Sequence, residues 1–176
     1  MIDACVMINL LATGLEVEIS HALRCTWVMS EHAHRETMFL DSPPDADGVR
    51  HRTKAEVSRL EGAGRLEVLR LEADWMAAFV QAAAHLPDND ASSVALAGRF
   101  ELPLATDDPK VRRVAMDLFP AVPLRSTLSI LHEAVLDLQL DKERLLRLAQ
   151  DLRWRGNFLP PRRDPDRDWY LSLLVG

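Results

Sequence analysis

Leu102-Pro103-Leu104-Ala105-Thr106-Asp107-Asp108-Pro109-Lys110-Val111-Arg112-Arg113-Val114-Ala115 decides the fold class of this chain. A short apolar run stops at a hydroxyl and two acids, and apolar residues at helical spacing follow, so a strand hands over directly to a helix. In an open α/β sheet ligands bind beyond the carboxyl ends of the strands, so acids placed there face a shared crevice. Asp3, Glu36 and Asp90 stand at comparable junctions. Together with Asp107 or Asp108 they let carboxylates far apart in sequence converge on one metal ion. The first reading is therefore a metal-dependent enzyme.

Working outward, strand and helix patterns alternate along most of the chain. Ile2 to Ile8 reads as a strand interrupted by Asp3 and passing into a helix at Ile8 to Ala12, with Gly14 as punctuation. Leu15 to Leu23 suits a short amphipathic helix, and Cys25 to Met29 a second strand. Ser30 reads as the start of a helix whose second turn holds Glu36. Asp41 to Arg52, with two prolines, a glycine and several charges, reads as an exposed loop. Further helices are expected at Lys54 to Gly62, Asp74 to His85, Ala91 to Phe100 and Lys110 to Leu118, and strands at Leu66 to Leu71, Pro103 to Thr106 and Ala121 to Leu124. This alternation predicts a parallel sheet covered on both faces. Beyond Ser126 the pattern changes to two amphipathic helices, Thr127 to Leu138 and Lys142 to Trp154, the second capped by Asp141. A proline-containing tail then ends in the apolar stretch Trp169 to Val175.

The 176 residues fit one domain with a substantial core, and 48% hydrophobic with 27% charged residues is ordinary for a folded chain. No apolar run approaches the roughly 18 residues of a membrane span. The opening Met1-Ile2-Asp3-Ala4 lacks the basic and apolar stretches of a secretion signal, so a cytoplasmic location is expected. The net charge of −6 argues against a general nucleic-acid coat protein, because such binding depends on Lys and Arg neutralising phosphates. It leaves a nuclease open, since carboxylates awaiting a cation inflate the negative count. Cys5 and Cys25 have no zinc or redox spacing and are expected as reduced core residues.

Asp3-Ala4-Cys5-Val6-Met7-Ile8-Asn9-Leu10-Leu11-Ala12-Thr13-Gly14 resembles the first motif of PIN-domain ribonucleases. Asp90-Ala91-Ser92-Ser93-Val94-Ala95-Leu96-Ala97 is similar to that family's central acid and alanine-rich helix. Leu104-Ala105-Thr106-Asp107-Asp108 resembles its strand ending in Thr, any residue, Asp, and Arg112 and Arg113 echo the basic residues that follow. The ordered set covers about residues 1–125, and the helical part after Ser126 is similar to a toxin-related subgroup. The resemblance implies a three-layer α/β/α domain with a central parallel sheet, its nuclease core at 1–125 and a helical extension at 126–176 packed on it. It implies an RNA-cleaving enzyme using Mg²⁺ or Mn²⁺ to activate water, with Asp3, Asp90 and Asp108 binding the metal and Glu36 as a further acid. Thr106 would orient a carboxylate or water, and Asp107 competes with Asp108. A cognate antitoxin, docking near Leu128, Leu131 and Val135, and a homodimer are also implied. The first acid follows only two residues, a shorter first strand than is usual in that family.

Each assignment has a plainer rival. An Asp after a strand often only caps a helix, which applies to Asp90 and Asp108 alike. Asp3 differs, because it interrupts an apolar strand end, where a purely structural role would bury a charge at a cost of several kcal/mol unless paired. Glu36 has Glu31 five residues away, and either could be a solvated helix residue. His32 and His34 stand two apart, a spacing that points them in different directions on a helix. Lys110, Arg112 and Arg113 could hold RNA phosphate or simply form a charged face. Arg153-Trp154-Arg155-Gly156-Asn157-Phe158 interleaves bases and aromatics as a stacking surface could, or ends a helix whose Trp154 packs inward. No Ser or Cys sits in a nucleophile setting and there is no glycine-rich phosphate loop. Two other functional classes fit the same residues. One is a degenerate domain of this kind that binds RNA or protein without cutting; the other is a metal-dependent phosphohydrolase, which the lack of Asp, any residue, Asp at the first strand disfavours.

Overall fold

The computed structural model describes residues 1–36 and 38–175 and shows a mixed α/β protein with short parallel sheets. In chain order the first elements are α1 (Ala4–Thr13), α2 (Glu16–Ala22), β1 (Trp27–Ser30), α3 (Glu31–Arg35), β2 (Phe39–Asp41) and β3 (Arg52–Lys54). Next come α4 (Ser58–Gly62), β4 (Leu66–Leu69), a 3-10 turn at Ala73–Trp75, α5 (Met76–Ala83), α6 (Asp88–Arg99), β5 (Leu104–Ala105) and α7 (Pro109–Leu118). β6 (Leu124–Arg125), α8 (Thr127–Leu138), α9 (Lys142–Trp154) and α10 (Arg167–Val175) complete the chain.

β1 pairs in parallel with β4, and β5 with β6. The short segment before α1 joins these pairs: the Ile2 amide donates to Val28, the Ala105 amide to Met1, and the Asp3 amide to Ala105. Only Ile2 bridges as a strand residue, and the expected strand from Ile2 to Ile8 is instead a helix from Ala4 onward. The reason is Asp3, whose side chain accepts from the Val6 amide at 2.7 Å and caps the helix as soon as the chain leaves the sheet. Gly14 closes α1 with φ of 65°, a left-handed conformation that suits glycine.

Several other boundaries moved for local reasons. Ser30 does cap α3, but that helix ends at Arg35, so Glu36 is its C-cap and not a second-turn residue. The expected loop from Asp41 to Arg52 begins and ends in the antiparallel pair β2–β3, which also takes Lys54 out of the following helix. The tail, read without regular structure, forms α10, where Tyr170 is buried and donates its hydroxyl to the Ala149 carbonyl at 3.1 Å. The helices at Thr127–Leu138 and Lys142–Trp154 stand where their periodicity put them, capped by Ser126 and Asp141.

Two apolar clusters form the core. In one, Ile2, Val6, Leu10 and Ile19 pack with Leu128, Leu131, Leu148, Leu152 and Tyr170; in the other, Val94, Leu96 and Leu104 pack with Val111, Val114 and Leu86. Leu128 and Leu131 are fully buried in the first cluster, which corrects their expected role as a partner-docking surface. The cysteine expectation is also corrected: Cys5 is exposed and Cys25 half-buried, because residue 5 falls on the outer side of a helix that begins at Ala4. Among the described residues no helix is long and apolar enough to cross a membrane.

Candidate active site

Asp3 sits where the Met1–Asp3 segment leaves the sheet, only 3% exposed. Burial raises its carboxyl to about 7; hydrogen bonds from the Thr106 hydroxyl and the Val6 amide oppose the rise, while the charges of Asp107 and Asp90 add to it. Among the described residues no cation forms an ion pair with this carboxyl, which is the costly arrangement anticipated for a purely structural residue.

Asp90 lies in the first turn of α6, at the positive end of the helix dipole. It was expected to cap this helix, yet Pro87 occupies the N-cap position and α6 has no side-chain cap bond. Its carboxyl is raised by desolvation and then by the charges of Asp108 and Glu36. Glu36 arrives from another element, held by the Asn89 amide at 2.7 Å. The turn carrying Asn89 and Asp90 is itself anchored by buried hydroxyls: Ser92 donates to Ser30 at 2.8 Å, and Ser93 donates to the Asn89 carbonyl at 3.0 Å.

Asp107 and Asp108 divide their work. Asp108 is an exposed N-cap, accepting from the amides of Lys110 at 2.6 Å and Val111 at 3.2 Å, so the capping role foreseen for it is present. Asp107 is half-buried, with Oδ1 accepting from the Thr127 amide at 2.9 Å and Oδ2 from the Thr127 hydroxyl at 2.5 Å and Asn9 Nδ2 at 3.2 Å. Desolvation still raises Asp107 against those bonds. Thr106 is buried between the two acid sets, its Oγ1 accepting from the Asp108 amide at 3.2 Å.

Cys5 feels the charge of several of these groups. Its thiol is raised to about 12, first by the protein around the sulfur and then by the charges of Asp3, Glu36, Asp90 and Asp107. Four acids from four parts of the chain thus act on one exposed side chain. Among the described residues no three His, Cys, Asp or Glu side chains are arranged to hold a metal ion as they stand. The chain matches no protein-family model, no curated protein and no solved structure. The chemistry of the site rests on its own residues.

The donor set suits a hard divalent cation, because it is made of carboxylate oxygens and hydroxyls, with Arg112 the one cation acting on Asp107 among the described residues. Two cavities of about 290 Å³ meet at Asp107: one also lined by Arg112, Ser126, Ser129 and Arg163, the other by Cys5, Ile8, Asn9, Asn157 and Leu159. Arg112 is fixed by donating to the carbonyls of Thr106 and Arg125, each at 3.0 Å, which gives it a structural task beside any phosphate contact. Of the pair His32 and His34, His34 contacts Glu61 at 3.2 Å and lines a cavity with Glu36, while His32 lies against the Phe79 ring. Asn9, Asn89, Thr127 and the serine cluster were missed from the sequence. Asn9 had a readable signal, a lone amide on the apolar face of α1; Thr127 had none, because its partner lies 20 residues away.

Proposed function

We propose that the protein is a metal-dependent endoribonuclease of PIN type, hydrolysing RNA phosphodiesters. The observation that carries this reading is the buried Asp3 carboxyl, raised to about 7 with Asp107 and Asp90 among its causes. Unpaired charge gathered at one crevice costs stability, and a functional site is where such a cost is retained. The two core clusters, one packing α1 and α8 and the other α6 and α7, support a three-layer arrangement about the strands.

In this reading Asp3, Asp90 and Asp108 hold Mg²⁺ or Mn²⁺, with Glu36 as the further acid and Asp107 as the competitor of Asp108. A bound divalent ion would lower the pKa of water and neutralise charge on the phosphoryl oxygens. Thr106 keeps the Asp3 carboxyl oriented, Asn89 holds Glu36 toward Asp90, and Thr127 with Asn9 fixes Asp107. A toxin role with a cognate antitoxin belongs to the same proposal, as does a homodimer.

A second reading is favoured by one observation: both oxygens of Asp107 are engaged by Thr127 and Asn9, and Asp108 is a cap. Such engagement fits a degenerate domain that binds RNA or protein without cutting. Cleavage of structured and single-stranded RNAs in Mg²⁺, Mn²⁺ or EDTA separates the two. Metal-dependent cutting that is lost in both Asp3→Asn and Asp108→Asn supports the nuclease; a folded protein that binds RNA and never cuts it supports the second reading. Faster turnover of a chromogenic phosphate ester than of RNA would make it a phosphohydrolase.

A further inference from the structure

The last turn of α9 ends in Arg153 and Trp154, and the loop of the β2–β3 hairpin brings Arg50 against them. The Arg50 guanidinium carbon lies 5.0 Å from the Trp154 ring centroid and that of Arg153 lies 5.4 Å from it. On the same hairpin Arg52 sits 5.7 Å from the ring of Phe39, which is 43% exposed. Arg52 is neutralised by Asp41 at 3.1 Å, whereas Arg50 and Arg153 are exposed and have no ion-pair partner among the described residues. In a protein of net charge −6, two exposed cations therefore lie on one half-buried indole.

This ledge is joined to the carboxylate crevice by a short, fixed stretch of chain. Arg155 donates to the Ala12 carbonyl at 2.9 Å, and its own carbonyl accepts from the Asp41 amide at 2.9 Å. Gly156 packs so closely on Asn9 that a Cβ there would lie 3.0 Å from its side-chain oxygen. Asn157 and Leu159, the latter 78% exposed, then line the cavity that contains Cys5 and Asp107. Hairpin, α1 and the α9 terminus therefore hold the ledge in one position relative to the acids.

We propose that the ledge of Arg50, Trp154 and Arg153 is a second contact for single-stranded RNA, gripping nucleotides that leave the crevice past Asn157 and Leu159. Guanidinium planes and an indole stack unpaired bases of any sequence, and the same cations neutralise the phosphates between them. A duplex keeps its bases stacked on each other and gains little from such a surface. The inference rests on the ribonuclease reading for the direction of the strand and for the nature of the ligand.

The test is fluorescence anisotropy of a short labelled oligoribonucleotide and of its blunt duplex, in EDTA, with the full chain, Trp154→Ala, Trp154→Phe and the double variant Arg50→Ala/Arg153→Ala. Trp154→Ala and the double variant are expected to weaken single-strand binding by about tenfold and duplex binding by less than about twofold, with Trp154→Phe near wild type. The double variant should also make the dependence of log K on log salt shallower by about 1.4, roughly 0.7 for each lost phosphate contact. The arginine pair lies on the surface, so its result stands even where Trp154→Ala unfolds. Equal single-strand binding by the wild type and the double variant overturns the proposal; if, in the same assay, the double variant loses binding only to a labelled oligoglutamate peptide, the ledge belongs to an acidic protein partner. Ledge-dependent RNA binding without metal-dependent cleavage removes the nuclease reading and keeps the ledge; cleavage with ledge-independent binding does the reverse.

Discussion

An aspartate at a strand end or a helix start can hold a helix, a proton or a cation, and the four here differ in which of these they do. Asp3 caps α1 while keeping its proton to about pH 7. Because the unfolded carboxyl releases that proton near pH 4, the native state binds more protons between the two values. Stability contributed at this site is therefore highest below about pH 4, falls as pH rises through that window, and is level above about 7. Asp3→Asn keeps an oxygen for the Val6 amide and removes the charge, so it should raise Tm by about 5 °C at pH 8 and by less than about 2 °C at pH 4, read by thermal unfolding at both values. An equal shift at the two pH values would mean that the Asp3 charge is not the source of the cost. Asp108 permits the complementary separation. Asp108→Ala should cost about 1 kcal/mol through the lost cap, whereas Asp108→Asn should cost less than about 0.5 kcal/mol and still abolish cleavage if the carboxylate acts on the metal. Denaturant midpoints beside RNA cleavage rates check both numbers.

Among the elements, α1 and the end of α9 do the most to place the crevice. Asn9 projects from α1 to Asp107 and Thr127, and Gly156 follows α9 with no space for a side chain toward Asn9. Gly156→Ala would put its Cβ 2.8 Å from the Leu152 carbonyl oxygen and 3.0 Å from Asn9 Oδ1. The backbone oxygen has little freedom to yield, so the expected cost is roughly 1 to 3 kcal/mol, with weakened RNA binding because Asn9 must move. Urea titration gives the first and anisotropy the second; unchanged stability would mean that the contact relaxes freely. Just beyond this close approach Asn157 takes a left-handed conformation with φ of 51°.

For the whole molecule, the main apolar cluster joins the first and last parts of the chain. Ile2, Val6 and Leu10 share it with Leu128, Leu131, Leu148 and Tyr170, so residues 1–125 alone would expose one face of α1 and of α2. A chain ending at Arg125 should lack a cooperative unfolding transition, and Leu131→Ala in the full chain should cost about 2 to 5 kcal/mol by leaving a cavity in that cluster. Circular dichroism melts of both decide it, since a cooperative melt of the shortened chain would show a self-sufficient first part.

The sequence by itself determined what depends on near neighbours. Helical periodicity located α8 and α9 to the residue, Ser30 and Asp141 were readable caps, and Asp3 was legible as an acid at the end of an apolar run, where burial makes a carboxylate costly. Tertiary structure alone decided what depends on partners far along the chain. The place of Ile2 between the two sheet pairs follows from its partners Val28 and Ala105, and the task of Asp107 follows from Thr127. Leu128 and Leu131 became core because α2 and α1 pack against α8, and Cys5 became a surface thiol among acids contributed by other elements. Local spacing fixes which side of a helix is apolar; only the assembled chain fixes what that side meets.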